Sequence, residues 1–204
     1  MAPSFSIRFA IASFCLALAA CGPRDVELGF WFEPVTFTSP RLGPPVSADE
    51  LTAIETIARA EVAKAFQDFD VAITANRNAR YKVNVVQQLQ DGRMLRRKVD
   101  VAGQSRFIAG LGGSGAVSFN FVASGATVYA PETAARATVL EALGRAIGRT
   151  AVHEFAHQLA PRTPIHDTRN PNSYESGTTS AAQYFGDMNW DIARPELEKR
   201  FKRR

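Results

Sequence analysis

Two histidines four residues apart, His153 and His157, stand near the end of a long run of helical composition, and no other feature constrains the chain as much. From about Thr133 to Leu159, apolar residues recur on one stripe at Val139, Leu140, Leu143, Ile147 and Ala151. That spacing predicts a helix, and Pro161 and Pro164 predict its end. Residues four apart lie one turn apart on the same helix face, so the two imidazoles must project side by side. The chain has 3 histidines in all, and the third, His166, follows just beyond the prolines. The break lets the chain turn back and bring His166 toward the other two. Gly144 and Gly148, four apart in the same run, are expected to let this helix approach a sheet closely.

The rest of the chain reads as α+β. A strand is expected near 28–37, around Phe30-Trp31-Phe32, followed by a proline-broken loop. Ser47-Ala48-Asp49-Glu50 has the form of a capping box. Leu51, Ile54, Ala58, Val62 and Ala65 then predict an amphipathic helix over 48–67. Asp70–Thr74 and Tyr81–Val85 alternate as strands do, and Asp91-Gly92 reads as a two-residue hairpin turn. The glycine-rich stretch Gly110–Gly115 reads as a flexible loop. It lacks the Lys-Ser/Thr and the helix start that a phosphate cradle needs. Ala116–Val122 and Ala126–Ala130 read as two more strands. A last helix is expected near 191–203, after a long loop rich in Asn, Ser, Thr and Gly. With 204 residues and no internal repeat, one domain over 21–204 is expected.

The first 20 residues read as a leader outside the fold. Arg8 supplies a positive start, Phe9–Ala20 is apolar but short for a membrane span, and small residues precede Cys21. Leu18-Ala19-Ala20-Cys21-Gly22 resembles the lipobox of bacterial lipoproteins. The resemblance implies lipidation of Cys21, which becomes the mature N-terminus and anchors the chain to a membrane without spanning it. Gly22 in place of Asp implies sorting to the outer membrane of a Gram-negative cell, facing periplasm or exterior. Removal of the leader would take Cys15 with it and leave no thiol for an internal disulfide. The formal net charge is +4, so no large basic field and no nucleic-acid partner are expected. The basic run Lys199, Arg200, Lys202, Arg203 and Arg204 reads first as a solvated helix end; its other reading is contact with anionic lipid or nucleic acid.

His153-Glu154-Phe155-Ala156-His157 has the H-E-x-x-H pattern, in which two histidines of one helix face hold a zinc ion. Glu154 is turned by one residue, so it reaches a water beside the metal and not the metal itself. A third ligand must come from elsewhere and leave one position open. His166 is the first candidate, with Glu175, Asp167 and Asp187 as alternatives. Tyr174, in the loop after His166, is a candidate donor to the oxyanion of a peptide-bond hydrolysis; a packed aromatic is the other reading.

The arrangement resembles the metzincin clan of zinc endopeptidases over about residues 28–190. His153, Glu154 and His157 match the clan's motif directly, and His166 matches its third histidine by role. The resemblance implies a zincin-like mixed, twisted sheet packed on a backing helix and an active-site helix, with a small loop-rich C-terminal part. It implies one zinc ion, a peptide or protein substrate, Glu154 as general base, and a cleft lined by the strand before the last, here Ala116–Val122. The chain departs from the pattern in placing His166 nine residues after His157 rather than six, with Ala160 where the clan has glycine. No methionine lies near Tyr174, and Met188 is the candidate for the hydrophobic floor under the site. Glu175 stands near the distance used by thermolysin-like enzymes. The aspzincin pattern lacks its aspartate here, because Ser180 occupies that place. The alternative to a peptidase is a lipoprotein that holds zinc for binding or structure and has no need of Glu154.

Overall fold

The computed structural model describes residues 26–91 and 99–201. The leader, Cys21 and the tether to residue 25 lie outside these residues. Among the described residues, no helix is long and apolar enough to cross a membrane.

The fold is α+β. A five-stranded mixed sheet runs in the order β2-β1-β3-β7-β6. Its strands are β1 (Val26–Phe32), β2 (Val71–Thr74), β3 (Tyr81–Val86), β6 (Gly103–Ile108) and β7 (Gly112–Ser118). β4 (Gln90–Asp91) and β5 (Val99–Asp100) form a separate antiparallel pair. Asp91 pairs with Val99 and so lies in a strand rather than at the expected two-residue turn, and Gly92 lies outside the described residues. β1, β2, β3 and β7 are parallel, and β6 runs antiparallel along the edge beside β7.

Helix α1 (Ala48–Ala65) starts at the expected capping box: Ser47 Oγ accepts from the Glu50 amide, and the Glu50 carboxylate accepts from the Ser47 amide. Glu50 also pairs with Arg136 at 2.7 Å, which locks the start of α1 to the start of α3 (Arg136–Leu159). α1 and α3 pack against each other, and α3 lies across β3, β7 and β6. Gly144 and Gly148 serve α1 and not the sheet. A Cβ at Gly144 would meet Ile57 Cβ at 2.8 Å, and one at Gly148 would meet the Ala58 carbonyl at 2.5 Å.

Of the two expected strands Ala116–Val122 and Ala126–Ala130, residues 116–118 do end β7, and the rest is corrected. Phe119–Tyr129 is a helix, α2, in which Phe119, Val122, Ala123 and Ala126 are buried at helical spacing. Val122, Thr127 and Val128 give the segment local strand character, but its buried set has period 3.6. Ser118 caps it by accepting from the Phe121 amide. The glycine-rich stretch is also not a flexible loop. Gly112–Gly115 begin β7, which lies inside the sheet between β3 and β6. The strand that borders the cleft is therefore the edge strand β6, not Ala116–Val122. Two short helices, α4 (Ala181–Phe185) and α5 (Arg194–Phe201), complete the chain.

Candidate metal centre

His153 and His157 lie on one face of α3, near its C-terminal end. α3 stops at Ala160, and the next residues form tight turns: the Thr163 amide donates to the Ala160 carbonyl and the Asp167 amide to Pro164. Ile165 plugs into the core at 9% exposure. This anchored turn accounts for the long spacing between His157 and His166, and it takes the place of a glycine bend. His166 itself has φ +88°, a conformation few side chains adopt. Its amide donates to the Glu175 carbonyl at 3.1 Å. Gly177 lies against it, since a Cβ there would meet the His166 ring at 3.0 Å. A strained backbone of this kind costs about 1–3 kcal/mol and persists where the surroundings impose it.

The three Nε2 atoms converge. His153 lies 2.8 Å from His166, and His157 lies 3.2 Å from each of the others. His153 Nδ1 faces the Tyr174 carbonyl at 2.8 Å. A carbonyl only accepts, so Nδ1 carries the proton and the Nε2 lone pair points into the cluster. Burial, aided by the neighbouring histidines, lowers the pKa of His153 to about 3 and that of His157 to about 4. Neutral imidazoles are the ligand form. Three ring nitrogens this close suit a shared cation, and the three histidines form a group that could hold a metal ion. Imidazole alone accommodates zinc, copper, iron or nickel, so the donor set does not fix the metal.

Glu154 is buried at 4% exposure, and its Oε2 has no hydrogen-bond partner among the described residues. Burial raises its pKa to about 8. Gly103 on β6 makes room for it, because a Cβ at Gly103 would fall 2.2 Å from Glu154 Oε1. One turn on, Gln158 is fully buried and clamps α3 to the sheet. It accepts from the Lys82 amide and donates to the Lys82 carbonyl and to Ser105 Oγ. Gly113 leaves space for that side chain. One turn before His153, Arg149 pairs with Glu61 of α1 at 3.0 Å and donates to the carbonyls of Ala182 and Gln183. Sequence reasoning missed Gly103, Gln158 and Arg149. Gln158 left a signal, since it is polar where the apolar stripe of α3 continues inward; Arg149 falls outside that stripe and left none.

The alternative third ligands stand elsewhere. Glu175 is fully buried, but its carboxylate accepts from the amides of Asp191 and Ala193 and from Ser173 Oγ. It ties together the C-terminal loops. Asp167 and Asp187 are exposed and are not in the histidine group. Tyr174 is buried, with its ring 5.2 Å from that of Trp190. Its pKa is raised to about 12, by burial first and then by Glu61. Its established contact with the site is the backbone carbonyl that orients His153. Met188 lines the same cleft as the histidines. That cleft, of about 810 Å³, runs between β6 and the 171–179 segment.

Fold and site together define an α+β protein with a candidate three-histidine metal centre in an open cleft. No protein-family model matches this chain, and neither does any curated protein or solved structure.

Proposed function

We propose that this chain is a zinc-dependent peptidase, anchored to the outer membrane of a Gram-negative cell through a lipid on Cys21. The observation that carries the reaction is Glu154. A carboxylate buried beside three converging imidazoles, with its Oε2 unpaired among the described residues, costs stability without a structural return. A zinc store or a structural metal site has no use for it, which weighs against a lipoprotein that only binds zinc.

His153, His157 and His166 would hold the ion, and Tyr174 would fix the tautomer of His153 through its carbonyl. When bound, zinc supplies Lewis acidity toward a peptide carbonyl and toward a water. Glu154 accepts the proton of the attacking water and returns it to the leaving amine. The raised pKa of Glu154 suits the first half of that cycle, since a more basic carboxylate takes a proton readily. Gly103 keeps the carboxylate from being displaced, and Gln158 holds the helix that carries it. The exposed edge of β6 borders the cleft and can pair with an extended peptide. The antiparallel edge strand beside a helix bearing the motif also supports the metzincin-like reading. Tyr174 as oxyanion donor is a weaker part of the proposal, because its ring packs on Trp190.

The test is hydrolysis of a quenched-fluorescence peptide library by the purified protein. Activity is expected to disappear with a chelator and to return with zinc. It is expected to fall by about 10²–10⁴ in Glu154→Gln. A fully metallated protein that cleaves nothing, or Glu154→Gln with unchanged turnover, would contradict it.

A further inference from the structure

One end of the molecule carries features that the cleft does not use. The four parallel strands begin together, with Val26 opposite Val71 and Leu28 opposite Tyr81, which in turn faces Gly113. The β6–β7 turn is therefore at the end where β1 begins. At that turn Ile108 is 50% exposed and Leu111 is 76% exposed, two large apolar side chains in water. The Gly110 carbonyl accepts from Arg80, whose guanidinium lies over the Tyr81 ring. Arg200 lies over the same ring and donates to its hydroxyl. The Phe201 carbonyl accepts from the Asp70 amide, beside the start of β2. A continuous surface thus runs from Leu111 through Arg80, Tyr81 and Arg200 to the end of α5.

The charge of this surface is basic. Arg80, Arg106, Lys199 and Arg200 are exposed, and Lys202-Arg203-Arg204 follow Phe201 in sequence. Asp70 and Glu27 are acidic at the strand starts, and Asp68, Glu196 and Glu198 are acidic beside and along α5; Glu27 is engaged by Thr74 and Asn76, Glu196 by Thr163, and Asp68 and Glu198 by Arg194. Cys21 precedes Val26 by five residues, which span at most about 18 Å when fully extended. A lipid on Cys21 would therefore keep the end at which β1 begins within that distance of the bilayer.

We propose that this end is a membrane-docking surface. Leu111 and Ile108 enter the headgroup region of an anionic phospholipid bilayer, while Arg80, Arg106, Lys199 and Arg200 meet lipid phosphates. The proposal rests on Cys21 as the lipid attachment point. It assigns Lys199 and Arg200, the described residues of the basic run, to lipid contact rather than to a solvated helix end. It also fixes the orientation of the cleft: Phe107 and Pro161, which line it, lie toward the docked end.

The full chain with Leu111→Cys, labelled at that thiol with an environment-sensitive dye, would be reconstituted into phosphatidylethanolamine–phosphatidylglycerol vesicles carrying brominated acyl chains. Val128→Cys is the control, since Val128 is 72% exposed on α2, away from this surface. A blue shift and quenching at position 111, with neither at position 128, is expected. Arg106→Glu combined with Lys199→Glu should lower the docked-to-undocked ratio by at least about fivefold per charge. A dye at position 111 that stays in water, or equal quenching at both positions, would overturn the proposal. So would insensitivity to the two charge reversals. A mass spectrum of the isolated protein showing an unmodified Cys21 would overturn the tether. Metal content and peptide hydrolysis are read separately, so the peptidase reading stands or falls apart from this one.

Discussion

Glu154 illustrates how much of the candidate site is decided at single residues. Its carboxyl is pushed to about 8 by burial, while His153 and His157 are held at about 3 and 4. These shifts make opposite demands on the metal-free fold. An unfolded histidine takes its proton near pH 6.5, and the folded ones resist until far lower, so stability falls as pH drops below about 6.5. An unfolded glutamate loses its proton near pH 4.5, whereas folded Glu154 keeps it to about 8, so stability falls as pH rises through that range. Their sum places the stability optimum of the chelator-treated protein near pH 6.5. Thermal melts in chelator across pH 4–9 would check this. Glu154→Gln is expected to flatten the alkaline limb and leave the acid limb in place. Gly103→Ala is expected to reduce turnover without loss of metal, because its Cβ would fall on Glu154 Oε1 and on no ligand. Kinetics alongside elemental analysis would check that.

Among the elements, α3 was the most legible. Its apolar stripe, its proline stop and its paired histidines all follow from one period, and the structure places it at Arg136–Leu159. What the sequence could not give was which neighbour each small residue serves. Gly144 and Gly148 face α1, and the sheet-side contacts fall to Glu154 and Gln158, which need glycines at 103 and 113 on the strands instead. Close approach is a property of two surfaces, so the glycine-rich stretch near 110 looked like a loop when read alone. The same limit misread α2. Its β-branched residues carry a local preference for strand, and burial against α3 and α4 overrides it. Gly148→Ala separates the two influences. Helix propensity alone favours the variant by about 1 kcal/mol. The clash with the Ala58 carbonyl opposes it by about 1–3 kcal/mol. A net loss of stability is expected in denaturant titration.

For the whole molecule, the three histidines arrive from different places in the chain, and only two of them are on a regular element. His166 depends on the turn at 161–165, on Ile165 in the core and on Glu175, which binds amides as far away as Ala193. Its approach to the other two could be expected from the proline break, but its positive φ and its support by the C-terminal loops could not. Binding of an ion at the three histidines would therefore be coupled to the order of residues 161–193, and a bound ion would stabilise the fold by linkage. The most direct test of the central claim is the metal content of the purified protein, measured with Glu154→Gln and His166→Ala beside it. About one zinc per chain is expected, kept in Glu154→Gln and lost or sharply weakened in His166→Ala. No metal in any form, even after refolding with zinc, or zinc undiminished in His166→Ala, would contradict a three-histidine centre.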